Sequence, residues 1–276
     1  MVISIAFGQV KDLEEALKTD DVSSIYSPNL AEKTFNDLQR IQCGKLVFTF
    51  PITPIKCAGA PQKIVYLADD YLRKVGRRDQ TTITYNTAMN VMFSHPKYSK
   101  VMEKVAKARG VHVNFLHNLV EVDYVQKRAI FDVLNTEQKK IGTKILPYDM
   151  LHVSPPCTAP EPLRSNKQLT APNGWMNVDV QTLQHKTYQN IFGIGDCCNL
   201  PTSKTLAAIT DQISIYHGYT ACPLITSSKT VVMAEFGYNE ALFETIPFDQ
   251  GKERRFMFFL VNQVFPRLYW CLFIRS

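Results

Sequence analysis

The alternation of apolar and polar residues predicts a chain of short helices and buried strands. Asn29 followed by Glu32 has the spacing of a helix capping box, and later apolar residues recur at helical intervals, which predicts a helix over 30–42. An apolar strand over 46–50 follows, and a second helix is predicted to begin near Pro61, since proline is favoured in a first helical turn. The same patterns predict a strand over 82–86, a helix over 97–109, a strand over 111–122 and a partner strand over 129–134.

The order of these elements indicates the fold class. A β-α-β-α-β-β order is typical of half of a doubly wound, nucleotide-binding domain that ends in a hairpin. Further along, residues 151–154 and 191–194 are predicted as buried strands, and a helix over 203–212 is predicted after the turn at Gly195 and Asp196. We therefore expect an α/β, Rossmann-like fold.

Composition and charge narrow the function classes. The 276 residues are 45% hydrophobic and 20% charged, which are ordinary globular values. The net charge of +6 is scattered along the chain, so it argues against nucleic-acid binding and favours a mild attraction to anionic lipid. Seven cysteines at irregular spacing, with no Cys-X-X-Cys, argue against a disulfide framework and against a metal site. The N-terminus has neither the pattern of a signal peptide nor that of a transit peptide.

The C-terminal segment 254–276 is rich in aromatic residues and arginines. Asn262, Gln263 and Pro266 interrupt its apolar run well short of the ~20 residues that a spanning helix needs. One interpretation is an amphipathic helix that lies in a membrane interface, with its arginines at the headgroups. The alternative is an aromatic helix buried against the core or against a dimer partner.

The turn over 191–205 is the first candidate site. A carboxylate such as Asp196, after Gly195 at the carboxyl end of a strand, can hydrogen-bond a cofactor hydroxyl, although it can equally cap the following helix. Cys197 would lie at the start of that helix, where the dipole favours a thiolate; the alternative is a small buried hydrophobic residue. Cys198 is its neighbour, and we expect only one of the two to face a ligand.

The loop over 51–63 is the second candidate site. Cys57 follows the strand over 46–50 and precedes the helix near Pro61, and Lys63 adds positive potential. Two thiols in matched loops, Cys57 and Cys197, could meet across one crevice. This pairing is a hypothesis, because nothing in the spacing requires it.

Several blocks of the sequence carry a resemblance to a known family. They are CAGAPQK, YDMLHVSPP, TLQH, FGIGDC-NLPTSKT, GYTACPL, AEF and PFDQ-KER. They are closely similar to the animal mitochondrial sulfide:quinone oxidoreductases, flavoproteins of the disulfide-oxidoreductase superfamily. The similarity extends from about residue 3 to the C-terminus.

The resemblance implies a fold, a cofactor and a reaction. It implies two dinucleotide-binding domains around FAD, with Cys57 and Cys197 flanking the flavin, and a persulfide formed on Cys197 when hydrogen sulfide attacks. Electrons would pass to ubiquinone at the inner mitochondrial membrane, and the sulfur to an acceptor such as glutathione or sulfite. Lys63, Lys204 and Lys252 would contact the cofactor or tune the site, the alternative for the first two being solvated lysines. Cys43, Cys157, Cys222 and Cys271 are interpreted as structural.

The sequence also departs from the family. The family has a GxGxxG loop before the segment that matches residue 3, and about twenty more residues between Gln212 and Gly218. The chain thus resembles a truncated form, and two alternatives stay open: an inactive fragment that does not hold FAD, and a related flavoprotein that oxidises NADH. We expect a remnant of the FAD domain over 1–44, a second Rossmann-like half over 45–150, a returning FAD segment over 151–217 and a membrane-associating region over 218–276.

Overall fold

A computed structural model describes residues 6–7, 10–52, 54–202, 204, 218–238 and 241–274. The strands are β1 (Ala6–Phe7), β2 (Val22–Ser23), β3 (Gly44–Phe50), β4 (Thr81–Thr87), β5 (His112–Phe115), β6 (His117–Asp123), β7 (Arg128–Leu134), β8 (Lys140–Pro147), β9 (Met150–His152), β10 (Cys157–Thr158), β11 (Thr220–Ile225) and β12 (Val231–Phe236). The helices are α1 (Leu13–Ala16), α2 (Pro28–Arg40), α3 (Ala60–Lys74), α4 (Pro96–Ala108), α5 (Glu161–Arg164), α6 (Arg255–Phe259) and α7 (Phe265–Tyr269).

A five-stranded parallel sheet in the order β2-β9-β3-β4-β5 forms the centre of the fold. Strand β3 is buried on both faces, because Leu46 and Phe48 pack with helices α3 and α4 while Val47 packs with the antiparallel sheet β6-β7-β8. Such two-sided burial explains the continuous apolar run of this strand. The predicted α/β, Rossmann-like class is confirmed.

The predicted strand over 111–122 is in fact two strands. Leu116 has a φ of 59° and donates its N–H to the Met89 carbonyl at 3.1 Å, so the chain turns there from β5 of the parallel sheet into β6 of the antiparallel one. An apolar residue in the left-handed region gives no signal in an alternating pattern. Strand β8, which the pattern analysis missed, is largely exposed and therefore lacks a clear apolar face.

The predicted strand over 191–194 is wrong. This segment forms only single bridging contacts, such as Gln184 with Phe192, and the side chains of Phe192 and Ile194 are more than half exposed. Its apolar residues therefore do not mark a buried strand. The helix predicted over 203–212 lies outside the described residues, apart from Lys204.

The hairpin β11-β12 brings a distant part of the chain onto the helix that follows β3. Cys222 and Leu224 of β11 are buried in the same core as Val65 and Leu72 of α3. Helix α3 is fixed at its other end by the buried Asp69, whose carboxylate pairs with Arg73, Arg78 and Arg109. The amino end of α3 thus meets the middle of β11.

The C-terminal residues 255–274 form one helical run. Helices α6 and α7 alternate with π-helical turns over Leu260–Val264 and Trp270–Ile274. Met257 is buried, whereas the side chains of Phe256 and Trp270 are more than half exposed. Within the described residues, no helix combines the length and the apolar character required to cross a membrane.

Candidate functional site

Cys57 lies in a strained turn between β3 and α3. Its φ of 51° is in the left-handed region, which is uncommon for a residue with a side chain. Two backbone hydrogen bonds hold the turn: Cys57 N–H donates to the Lys204 carbonyl at 2.9 Å, and Ala60 N–H donates to the Cys57 carbonyl at 2.8 Å. The turn is therefore fixed both to the start of its own helix and to the segment around Lys204.

The thiol beside Cys57 is Cys222. Cys222 packs in the same core cluster as Cys57, its thiol interacts with the Cys57 sulfur, and Lys63 Nζ lies 3.7 Å from that sulfur. The structure therefore corrects the expected pairing: the thiol placed against Cys57 is not Cys197 but Cys222, which the sequence analysis interpreted as structural. The physical reason is the hairpin β11-β12, which packs Cys222 against α3, while Cys197 is buried in a separate cluster with Trp175 and Met176.

The environment of this pair favours one thiolate and one thiol. The hydrogen bond from Cys222, aided by the charge of Lys63 and opposed by burial, lowers the pKa of Cys57 to about 5. The same hydrogen bond, together with burial, raises the pKa of Cys222 well above its ordinary value. Burial opposes the charge on Lys63, but the two sulfurs raise its pKa. At neutral pH, Cys57 is the thiolate, Cys222 the thiol and Lys63 the counter-ion.

Gly59 makes this approach possible. A Cβ at this position would lie 2.6 Å from Cys222 Sγ and 2.6 Å from Leu224 Cδ2, so a side chain would push β11 away from α3. Because Gly59 has no side chain, the sulfur of Cys222 can lie against this loop.

Lys204 connects the Cys57 turn with the turn at Asp196. Its Nζ donates to the carbonyls of Asp196 and Cys198 and lies 3.8 Å from the centre of the Trp175 ring. Burial lowers the pKa of Lys204, since a charged ammonium is costly there. Its backbone carbonyl accepts the Cys57 N–H, so this one residue holds both loops.

Cys197 and Cys198 form a second pair of adjacent thiols. Their sulfurs are 3.8 Å apart, and both residues are buried. The hydrogen bond from Cys198, opposed by burial and aided by Lys204, lowers the pKa of Cys197 to about 7, while the pKa of Cys198 is raised. The predicted thiolate character of Cys197 thus has a physical basis here in the neighbouring thiol of Cys198.

The other predicted cofactor residues occupy different surroundings. Gly195 has a φ of 82° and turns the chain before Asp196, whose carboxylate lies 3.8 Å from Lys56 Nζ. Lys252 is exposed and lies 4.0 Å from Asp249. Contact of any of these residues with a cofactor stays a prediction.

A cavity of about 850 Å³ opens beside both thiol pairs. Ala58, next to Cys57, forms part of its wall, and so do Cys198 and Lys204. The remaining wall includes flat and flexible apolar groups: Phe50, Met89, Met92, Phe93, Trp175 and Phe236. Thr220 also lines the cavity, and its buried hydroxyl has no hydrogen-bond partner among the residues that the structure describes. An apolar slot with a few polar groups and one unpaired hydroxyl fits the ring end of a flavin.

The sequence contains only a weak indication that Cys222 belongs to the site. Cys222 lies within the quoted block GYTACPL, but it stands in a strand without a neighbouring turn, glycine or charged residue. The charge that identifies it comes from Lys63, far away in the sequence. The shared motif block was therefore the one feature that could have indicated it.

Comparisons with known proteins identify relatives of the chain. No family model matches the chain. It is 42% identical to the mitochondrial sulfide:quinone oxidoreductase of Mus musculus, an alignment that covers 99% of this chain and 64% of the relative. It is 45% identical to the protein of the same name from Dictyostelium discoideum, covering 97% and 62%. By sequence, the chain is similar over nearly its whole length to the mitochondrial sulfide:quinone oxidoreductases. It spans less than two thirds of the length of these relatives.

Solved structures support the fold alone. The sulfide:quinone oxidoreductase of Aquifex aeolicus superposes with a TM-score of 0.57 at 20% identity, covering 72% of this chain and 45% of that one. A chain in a mitochondrial ATP synthase structure from Tetrahymena thermophila superposes with a TM-score of 0.77 at 22% identity, covering 97% and 70%. The fold of the described region is thus shared with proteins of different names.

Proposed function

We propose that this chain carries the sulfide-oxidising thiol pair of a mitochondrial sulfide:quinone oxidoreductase, with Cys57 and Cys222 as the two redox cysteines. The observation that carries the proposal is the contact between a low-pKa thiolate, a high-pKa thiol and a lysine beside an apolar cavity. The names of the relatives supply the substrates, hydrogen sulfide and a quinone.

The oxidised form of the pair would be a Cys57–Cys222 disulfide. Hydrosulfide attacks Cys222 Sγ, a new S–S bond forms there and the old one breaks, so Cys222 becomes a persulfide and Cys57 leaves as a thiolate. Cys57 is the better leaving group, because its pKa is the lower of the two and Lys63 stabilises its charge. A thiol or sulfite acceptor then removes the outer sulfur and returns Cys222 to a thiol.

Re-forming the disulfide releases an electron pair and the Cys222 proton. FAD, when bound, would accept that electron pair and supply it to a quinone. The residues that would hold its ring are those of the cavity wall, with Trp175 and Phe236 as flat apolar surfaces and Thr220 as an unpaired hydroxyl. Lys204 would fix the wall through its contacts with the carbonyls of Asp196 and Cys198.

The experiment is a visible spectrum of the purified full chain reconstituted with FAD. We expect a yellow protein that is bleached by sulfide and recoloured by a short-chain quinone. Sulfide-dependent bleaching that persists in Cys57→Ser would contradict the assignment of the pair.

A second candidate is a form of the family that does not hold FAD. One observation favours it: the two cationic side chains on the described cavity wall are already engaged, Lys204 by backbone carbonyls and Trp175, and Arg164 by Glu161. A pyrophosphate would have to compete with these partners, of which the Glu161 carboxylate is exposed and the backbone carbonyls are partly buried. A colourless protein after reconstitution, with no change in intrinsic fluorescence on adding FAD, is the result expected for this candidate.

We also propose that the C-terminal helical run contacts the surface of the inner mitochondrial membrane. Its exposed side chains are largely apolar, with exposures of 59% for Phe256, 53% for Phe259 and 51% for Trp270, and such rings suit an interface. Cosedimentation of the chain with vesicles containing anionic lipid tests this: binding should fall when Phe256 and Phe259 are both replaced by serine.

A further inference from the structure

The adjacent thiols Cys197 and Cys198 have no role in the proposed reaction. They lie in a cluster with Trp175 and Met176, apart from Cys57 and Cys222. Their sulfurs are 3.8 Å apart, with Cys197 Sγ also 3.5 Å from the Ile194 carbonyl. Cys198 forms part of the wall of the large cavity, which offers a route to the pair from inside the protein.

The geometry of this pair favours a bridging atom over a direct disulfide. Neighbouring Cα atoms are about 3.8 Å apart across a trans peptide, whereas disulfides span Cα atoms about 4.4–6.8 Å apart and need an S–S bond of about 2.05 Å. Trivalent arsenic has bond angles of about 90–100°, so with bonds of about 2.3 Å to each thiolate it holds the two sulfurs about 3.3–3.5 Å apart. The two sulfurs, 3.8 Å apart, therefore need to approach by only a few tenths of an ångström to bind one such atom.

The surroundings supply the reactivity and limit the movement. Cys197 is the first nucleophile, since the Cys198 hydrogen bond, opposed by burial and aided by Lys204, lowers its pKa to about 7. Gly193 packs against Cys198, where a Cβ would lie 2.7 Å from Cys198 Sγ. The second sulfur is thus held beside the first.

We propose that Cys197 and Cys198 form a dithiol site that chelates thiophilic electrophiles with two open valences, of which trivalent arsenicals are the chemical class. With phenylarsine oxide as the reagent, two As–S bonds form, the As–O bond breaks, and the two thiol protons leave with the oxygen as one water. No atom changes its oxidation state. The inference goes beyond the proposed function, and the site is distinct from the sulfide-oxidising pair.

The test uses the full chain with Cys57→Ser, which removes the other pair of contacting thiols. Phenylarsine oxide is added with an excess of a monothiol, because single-thiol adducts exchange with the monothiol while a chelate does not. We expect intact mass spectrometry to show one phenylarsine group, thiol titration to show the loss of two thiols, and dithiothreitol to reverse both.

Two further variants and one control locate the adduct. In the Cys57→Ser chain, a further Cys197→Ser or Cys198→Ser substitution should abolish the adduct. A further Cys157→Ser substitution is the control and should leave the adduct in place, because Cys157 is a buried thiol of the same cavity wall but not part of the pair. A peptide map of the Cys57→Ser chain gives the result without these variants: the arsenical should protect Cys197 and Cys198, but not Cys157, from alkylation in denaturant. The proposal would be overturned if the adduct still formed after loss of Cys197 or Cys198. It would also be overturned if no adduct formed in the Cys57→Ser chain.

Discussion

The two thiol pairs of this protein follow the same electrostatic pattern but are built in opposite ways. In each, the interaction with the neighbouring thiol lowers the pKa of one cysteine, to about 5 at Cys57 and to about 7 at Cys197. Cys57 and Cys222 come from distant segments joined by tertiary packing, whereas Cys197 and Cys198 are neighbours in the chain.

The nearby lysine is oriented differently in the two pairs. Lys63 points its ammonium at the Cys57 sulfur, at 3.7 Å, and its own pKa is raised. The Lys204 ammonium instead donates hydrogen bonds to the carbonyls of Asp196 and Cys198, and burial lowers its pKa. A thiol whose thiolate has its own counter-ion is the better leaving group in disulfide exchange, and Cys57, with the lower pKa, is that thiol.

The largest expected effect separates the pairs by activity. Cys57→Ser or Cys222→Ser should lower the rate of sulfide-dependent flavin bleaching by about 10³-fold or more, because each removes a sulfur of the exchanging bond. Cys197→Ser should leave the rate nearly unchanged, which makes it the matched control. Stopped-flow absorbance of the FAD-reconstituted chain measures all three. Equal losses of bleaching rate in Cys197→Ser and Cys222→Ser would contradict the functional difference between the two thiol pairs.

This prediction depends on a contact that the sequence did not reveal. The Rossmann-like half could be predicted, because its strands and helices have clear local periodicities, and so could the acidity of Cys57 beside Lys63. The partner Cys222 could not, since it is determined by how the hairpin β11-β12 packs on α3. The pairing with Cys197 looked plausible from two similar loops, but similar local environments do not place two residues together.

The second effect concerns the acidity of the thiols. Only the thiolate is alkylated, so the rate with iodoacetamide should fall as the pH falls through each pKa, reaching half its plateau near pH 5 at Cys57 and near pH 7 at Cys197. In Lys63→Met the Cys57 midpoint should rise by about 1 to 3 pH units, because an opposite charge at this distance is lost.

Peptide mapping by mass spectrometry gives both midpoints from the same samples. Lys63→Arg retains the positive charge and serves as the control, with a Cys57 midpoint close to that of the unchanged protein. If Lys63→Met moves the Cys197 midpoint and leaves that of Cys57 in place, the two lysines have been assigned to the wrong pairs.

The third effect tests the packing that only the first pair requires. Gly59→Ala should lower the free energy of unfolding by about 1–3 kcal/mol, because its Cβ would clash with Cys222 Sγ and Leu224 Cδ2. It should also raise the Cys57 midpoint by displacing the thiol that hydrogen-bonds to it. Gly142→Ala is the control, since its Cβ would meet only Val133 at 3.9 Å. Urea unfolding measures the stability, and equal losses in the two variants would contradict the close approach at Gly59.

The smallest effect separates the pairs through their lysines. Lys204→Met should lower the free energy of unfolding by about 1–2 kcal/mol, because it removes the contact with Trp175 and two hydrogen bonds to buried carbonyls. It should raise the alkylation midpoint of Cys197, because Lys204 stabilises that thiolate. The midpoint of Cys57 should stay near pH 5, because Cys222 and Lys63 still lower the pKa of that thiol. Lys252→Met, at an exposed lysine, should change neither quantity. A shift at Cys57 as large as that at Cys197 would mean that the two pairs share one cation, because the backbone bond from Cys57 N–H to the Lys204 carbonyl does not require the side chain.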